Sequence, residues 1–213
     1  MAVCLAAGVV ALPAAATMPN QWVTRATAAA RSAHSVHVVA AGIPSGSSTI
    51  SFDLHIVSGH GGYGTIGVGK QRIDLIRSGK SAYFRADAAF WRRYGGAAAA
   101  RLFAGRWVKL PISNKDFASF IELTNISQFF TGILSSHGKL ARGGTKTIDG
   151  RPAVGIVDKS KSGGTLWIAS TGKPFPLELL PPTGPGVVRF EAWNTPMHVP
   201  APKNPIDLSK LKK

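Results

Sequence analysis

The run from Gly62 to Gln71, GYGTIGVGKQ, contains residue types that many proteins use to hold phosphate. Gly62, Gly64 and Gly67 match the dinucleotide pattern G-x-G-x-x-G, and residues 64–71 match the phosphate-loop pattern G-x-x-x-x-G-K-[ST] except at Gln71. Both motifs bind phosphate only where a strand turns into a helix whose N-terminal amides face the ligand. The segment SGHG precedes the run and the alternating segment RIDLI follows it, which predicts two strands. The glycines are therefore predicted to bend a strand and to admit close backbone contact.

Other segments that match catalytic motifs also lack the sequence context that those motifs require. Residues 136–139 match S-x-x-K and residues 161–163 match K-[ST]-G, but no S-D-N element stands between them, so we interpret both as chance. Ten carboxylates provide no evident pair for general acid and base. The histidines show no H-E-x-x-H spacing, and surface positions are expected for them: His34, His37, His55, His60, His137 and His198. No catalytic residue, metal site or cofactor is predicted, and the protein is expected not to be an enzyme.

The charge balance is strongly basic. Lys and Arg number 25 against 10 Asp and Glu, which gives a formal net charge of +15 over 213 residues. Such a surplus predicts attraction to anionic lipid, an acidic envelope or nucleic acid. The basic residues form three groups: Arg92, Arg93, Arg101, Arg106 and Lys109; Lys139, Arg142 and Lys146; and Lys203, Lys210, Lys212 and Lys213. A basic polyanion-binding module without a ligand cavity is therefore the alternative hypothesis for function.

The first 16 residues resemble a signal peptide. An apolar stretch from Ala2 to Leu12 is followed by Pro13 and three alanines, as in an h-region with an A-x-A cleavage site, although a basic n-region is missing. Cys4, the only cysteine, excludes an internal disulfide framework, and its context does not match a lipobox. Export to the cell envelope or outside the cell is predicted, with residues 1–16 removed. Genomic DNA would then be out of reach, so nucleic acid is not an expected partner.

The remaining chain alternates between helix and strand patterns. A helix is predicted over residues 21–33, two short helices between Asp87 and Ala104 with a break at Gly95–Gly96, and further helix between residues 113 and 138. About ten strands fill the rest, with an Asp149–Gly150 hairpin turn. This order predicts a single α+β domain with one antiparallel sheet. Residues 196–213 are Pro-rich and basic, and they are predicted to be an extended tail.

Several of these segments together resemble the LolA-like envelope proteins, and specifically the actinobacterial LppX/LprG-type lipoproteins. The resemblance rests on the N-terminal helix, GGYGTIGVG with RIDLIRSGKSAYFRADAAFW, RWVKLP, TIDGRPAVGIV, and TLWIASTGKPFPLEL with VVRFEAWN. It implies a strongly bent antiparallel sheet, an incomplete barrel, with helices packed on its concave face and an apolar cavity between them for acyl chains. The domain would span residues 17–195. Many members are anchored through a lipobox cysteine, which Cys4 does not supply.

Under this resemblance the protein is expected to be a monomeric carrier of a lipid or similar apolar ligand that also meets an anionic membrane or envelope surface. Inward-facing apolar residues are the candidates for lining the cavity, although each is equally typical of ordinary core. These candidates are Phe52, Leu54, Ile56, Ile66, Val68, Ile73, Leu75, Phe90, Phe120, Phe130, Ile156 and Leu177.

Overall fold

The computed structural model describes residues 17–211, so the predicted signal segment at residues 1–16 lies outside the described residues. The helices in this range are α1 (Pro19–Arg31), α2 (Ala88–Phe103), α3 (Ala118–Glu122) and α4 (Ile126–Leu134). The strands are β1 (Ser35–Ser45), β2 (Ser48–Val57), β3 (Gly61–Val68), β4 (Gln71–Ser78), β5 (Ser81–Ala86), β6 (Val108–Pro111), β7 (Leu140–Ile148), β8 (Arg151–Asp158), β9 (Thr165–Ala169), β10 (Pro176–Leu180), β11 (Val187–Glu191) and β12 (Ile206–Asp207).

All twelve described strands belong to one sheet, in the order β12-β6-β5-β4-β3-β2-β1-β11-β10-β9-β8-β7. Neighbouring strands are antiparallel except β12 and β6, which are parallel. The end strands β12 and β7 do not pair with each other, so the curved sheet is an open, incomplete barrel. The predicted α+β class and the bent antiparallel sheet are confirmed.

The glycine run forms strand β3, and the next strand, β4, begins at Gln71 after a two-residue turn. A helix N-terminus does not follow it, so the phosphate-binding reading is excluded on geometry. A Cβ at Gly64, where φ is +152°, would lie 1.9 Å from the carbonyl oxygen of Asp53 on β2. Glycine is thus required for the close approach of two strands, as the sequence predicted.

Local signals in the sequence correspond to observed turns and helix ends. Asp149 and Gly150 both have positive φ, 47° and 74°, and join β7 to β8 as a two-residue hairpin turn. The side chain of Asp87 caps α2 by accepting a hydrogen bond from the amide of Phe90 at 2.8 Å. Gly96 interrupts α2 with non-helical backbone angles, at the predicted break.

Two strands were not predicted. Strand β1 lies at the centre of the sheet between β2 and β11, and in it the buried residues Val36, Val38 and Ala40 alternate with half-buried His37 and Val39. This alternation of apolar residues is a strand signal that was not recognised in the sequence. Strand β12 lies in the predicted extended tail. There the amide of Ile206 donates to the carbonyl of Trp107 at 2.8 Å, which joins this part of the tail to β6.

The core lies between the concave face of the sheet and the helices. Its centre is aromatic: Phe84 of β5 packs on Phe117 at 4.8 Å between ring centroids, and Phe90 of α2 packs on Trp91 at 5.2 Å. Helix α1 lies against α4 and near strands β7, β8 and β10. Because its buried positions include Ala26 and Ala30, this helix approaches its neighbours closely.

Candidate ligand cavity

A partly open cavity of about 270 Å³ lies between helices α1 and α4 and the edge strands β7 to β10. Its apolar lining is aliphatic throughout: Val23, Ile133, Leu134, Leu140, Ile156, Leu166, Leu179, Leu180, Pro181 and Pro182. Aromatic rings fill the centre of the molecule, whereas these smaller side chains leave space at this edge. The cavity is therefore a continuation of the core that is not filled by side chains.

Helix α4 forms one wall of the cavity, and contacts at its N-terminus and along its inner face hold it in place. Its N-terminus is capped by Asn125, whose side chain accepts from the amides of Ser127 and Gln128 at 3.1 Å. Phe130 packs on Phe190 of β11 and on Trp193, at 5.2 and 5.3 Å between centroids. These contacts hold the helix above the sheet, and the C-terminal residues Ile133 and Leu134 then face the cavity.

The rim of the cavity is polar and contains Ser136, His137, Asp158 and Ser162. Asp158 accepts hydrogen bonds from the amides of Ser160 at 2.9 Å and Gly138 at 3.1 Å. These bonds, that of Ser160 first, hold the pKa of the Asp158 carboxyl below its ordinary value, so this group is a carboxylate at neutral pH. An apolar interior with a polar, charged entrance matches an amphiphilic molecule.

No protein-family model matches the sequence, and no curated protein is significantly similar to it. Solved structures resemble the fold over most of both chains, and LprF and LppX are among them. LprF from Mycobacterium bovis matches with a TM-score of 0.54 and 16% identity, over 86% of this chain and 96% of LprF. The lipoprotein LppX from Mycobacterium tuberculosis matches with a TM-score of 0.54 and 19% identity, over 85% of this chain and 98% of LppX. The chain has the fold of LppX and LprF.

Within this LppX-like fold, ten of the twelve predicted lining residues lie in the main core without lining the cavity described above. Seven of these ten are almost fully buried: Leu54, Ile56, Ile66, Ile73, Leu75, Phe90 and Phe130. The other three pack against the core while partly exposed: Phe52, Val68 and Phe120. Ile156 of β8 is both buried in the core and part of the cavity wall. The fold thus brings these residues together on the concave side, mostly against one another.

Leu177 is placed differently, in a small cluster with Ala153 and Ala169 on the other face of the sheet. The sequence predicted it on the inner face because Phe175, Leu177 and Leu179 alternate. However, Pro176 pairs with Ile168 and Glu178 with Trp167, so β10 has one extra residue at this point. This bulge shifts the alternation and turns Leu177 towards the face of Trp167. A bulge of this kind has no signal in the apolar pattern.

Residues that the sequence analysis did not select form most of the cavity wall. Val23, Ile133 and Leu134 stood in predicted helices as ordinary apolar positions, and no pattern in the sequence showed that β7 to β10 would lie beneath them. The two motifs treated as chance, residues 136–139 and 161–163, also meet at the rim. Helix α4 ends at Leu134, so Ser136 and Lys139 are not one helical turn apart as the enzyme motif requires.

The basic group around α2 is on the surface. Arg92, Arg93, Arg101 and Arg106 are exposed, and Leu102 between them exposes 55% of its surface. Lys109 is instead paired with Asp207 at 3.0 Å. Within residues 17–211, no helix combines the length and the apolar character needed to cross a membrane.

Proposed function

We propose that the protein is an extracytoplasmic carrier that binds an acyl-chain-bearing molecule, with the chain in the cavity and the polar head at the rim. The observation that carries the proposal is the unfilled aliphatic space between α1, α4 and β7 to β10, which ends at Ser136, His137, Asp158 and Ser162. Neutral or cationic head groups with hydroxyl donors suit this rim, because Asp158 is an acceptor there. The LppX-like fold and the signal-like residues 1–16 support the extracytoplasmic location.

The size of the cavity restricts what it holds. Its 270 Å³ is just under the usual range of about 300–1,000 Å³ for ligand pockets. At about 30 Å³ for each water-sized group, about nine methylene-sized groups fit. A single chain of about this length would fill the cavity, and the remainder of a longer chain would extend past the rim.

The exposed arginines on α2 give the carrier a way to reach its lipid. Four exposed arginines, Arg92, Arg93 and Arg101 of α2 and Arg106 just after it, attract an anionic surface at about 1 kcal/mol for each charge near it. Leu102 stands between them and has an apolar side chain to insert at the head-group boundary. We propose that this face docks the protein on anionic lipid while ligand enters or leaves.

A chain-length series tests the size argument. Monoacylglycerols of saturated fatty acids with about six to sixteen carbons, whose neutral head group carries hydroxyl donors, are made to compete with a fluorescent fatty-acid ester as the probe. Each added methylene should improve affinity about fourfold while it is buried. The gain should stop at about nine enclosed groups. A flat series from the shortest acid onward, or no probe binding at all, would contradict the proposal.

Vesicle binding tests the docking face separately. Wild-type protein should sediment with phosphatidylglycerol-containing vesicles and not with neutral vesicles, and the variant Arg92→Gln/Arg93→Gln should sediment less while its probe binding is unchanged. Lys70→Gln/Lys80→Gln, which removes two exposed charges from the turns after β3 and β4, serves as the control for net charge. Equal loss in both variants would mean that net charge alone causes binding, and preferential binding of DNA would favour the polyanion-binding alternative.

A further inference from the structure

A row of polar side chains crosses the outer face of the sheet at its centre. His37 of β1 pairs directly with His55 of β2 on one side and with Glu191 of β11 on the other. Asp53 precedes His55 by two residues on β2 and therefore shares its face. Because Val36, Val38, Leu54 and Ile56 on the same strands are buried against the helices, this row faces away from the core and the cavity.

The side chains of this row converge. His37 Nε2 lies 2.8 Å from Asp53 Oδ1, and His55 Nε2 lies 3.9 Å from the same oxygen. One potential ligand atom from each of His37, Asp53 and His55 lies within 4.8 Å of the other two. Two atoms bound to one tetrahedral zinc ion at about 2.1 Å stand about 3.4 Å apart. The observed 2.8 and 3.9 Å bracket that separation for the two pairs that include Asp53. The planes of the two imidazoles lie within 6° of parallel, so the rings must turn relative to each other before both lone pairs reach one ion.

Stacked rings hold the two imidazoles side by side, and Nε2 of His37 is hydrogen-bonded to Oδ1 of Asp53, a contact that a bound ion would replace. The rings of His37 and His55 stack at 4.1 Å, and Tyr63 stacks on the other face of His55 at 4.7 Å. Nδ1 of His55 is buried and has no hydrogen-bond partner among the described residues.

Glu191 approaches His37 from β11, the other strand that pairs with β1. Its Oε2 lies 3.7 Å from Nδ1 of His37, the ring nitrogen opposite to the one that faces Asp53. In metal sites the second nitrogen of a ligating histidine usually donates to a carboxylate, which fixes the tautomer and orients the ring. At 3.7 Å Glu191 does not yet hydrogen-bond this nitrogen, and a small movement of its partly exposed side chain would bring it into that role, which leaves His37 Nε2 for coordination.

We propose that His37, Asp53 and His55 bind a divalent transition-metal ion on the outer face of the sheet. Two imidazoles and one carboxylate favour Zn²⁺, Cu²⁺ or Ni²⁺ over Mg²⁺ and Ca²⁺, which prefer oxygen ligands only. Asp53 is 62% exposed at its side chain, so the fourth position is open to water or to a group from another molecule. The site joins β1 to β2 and is independent of the cavity. The test of metal binding therefore does not depend on the proposed carrier function.

Isothermal titration of the full chain without an affinity tag tests this with ZnCl₂ as the probe. Wild type should bind one equivalent, and the melting temperature should rise with Zn²⁺. His37→Gln and His55→Gln should each lose at least tenfold in affinity and lose that rise. His60→Gln, which changes an exposed histidine in the turn after β2, should bind as wild type does.

Asp53→Asn distinguishes a loss of metal binding from a folding defect, because this exposed carboxylate can change without disturbing the core. It should keep the metal-free melting temperature, lose affinity for Zn²⁺ and weaken the visible absorption of bound Co²⁺. Absence of saturable binding at one equivalent by wild type would overturn the proposal. Unchanged affinity in His37→Gln, His55→Gln and Asp53→Asn together would also overturn it, since the ion would then be bound elsewhere.

Discussion

Replacing Leu179 with tryptophan should fill the cavity without unfolding the domain. Leu179 of β10 lies opposite Leu166 of β9 and Val188 of β11, and its side chain forms part of the cavity wall. The indole would extend into unfilled space instead of into packed neighbours. In a fully packed core the same enlargement would force side chains and backbone apart.

An open cavity and a packed core predict changes in stability that differ in sign as well as in size. If the indole buries about 40 Å² more apolar surface than leucine, about 25 cal/mol per Å² gives about 1 kcal/mol of stabilisation. For a domain of this size that raises the melting temperature by about 2–4 °C. Overpacking would instead cost about 1–3 kcal/mol and lower it. A ligand that loses room for two methylene groups loses about 1.6 kcal/mol, or about fifteenfold in Kd.

Differential scanning fluorimetry of the ligand-free protein measures the melting temperature, and titration with the fluorescent fatty-acid ester measures Kd. Leu208→Trp is the matched control, because Leu208 is also a partly buried leucine but packs beside β6, at the opposite edge of the sheet. It should lower the melting temperature and leave Kd unchanged. Destabilisation by Leu179→Trp without any change in Kd would refute the reasoning, because the cavity would then be neither open nor the ligand site.

Three further predictions follow from individual contacts. Gly64→Ala should cost at least ~3 kcal/mol, or prevent folding, because its Cβ would lie 1.9 Å from a backbone oxygen; Gly132→Ala in α4, with open space around it, should be neutral or stabilising in the same urea titration. Hydrogen bonds from Ser209 and Lys109 lower the pKa of Asp207 to about 2, so Asp207→Ala should speed hydrogen exchange at the amide of Ile206 with little change in the melting temperature, and unchanged exchange would show that this carboxylate does not hold the tail. Burial favours the neutral form of Asp74, but hydrogen bonds from Arg85 and Arg72 outweigh it and lower the pKa of Asp74; Asp74→Asn should therefore be less stable than wild type at pH 7, with a difference that shrinks below about pH 4, whereas a difference that persists at pH 2 would contradict the assigned cause.

Features determined by a few neighbouring residues could be predicted from the sequence. The Asp149–Gly150 turn, the Asp87 cap and the break at Gly96 each depend on backbone preferences of one or two residues. The strand identity of β4 followed from its alternation, and that of β3 followed from the turn before it and the strand after it. Such local signals were enough for the fold class and for rejecting the phosphate-binding motifs.

Features that depend on distant pairing could not be predicted in the same way. The pairing of β1 with β11 joins residues about 150 positions apart, so no local pattern indicates which strand lies beside β1. That pairing also brings Glu191 beside His37. No local pattern indicated this neighbour, so His37 was interpreted from the sequence as a surface histidine. The cavity exists because aliphatic residues of α1, α4 and β7 to β10 meet without filling the space, which is a property of packing and not of composition.

The most direct test of the carrier proposal is native mass spectrometry of the protein purified from the organism that encodes it, followed by organic extraction. The carrier account predicts a non-covalent adduct whose extracted mass belongs to an acyl-chain-bearing molecule, and its loss in Leu179→Trp. Ligand-free protein from the host, together with no binding of the fatty-acid probe in vitro, would contradict it.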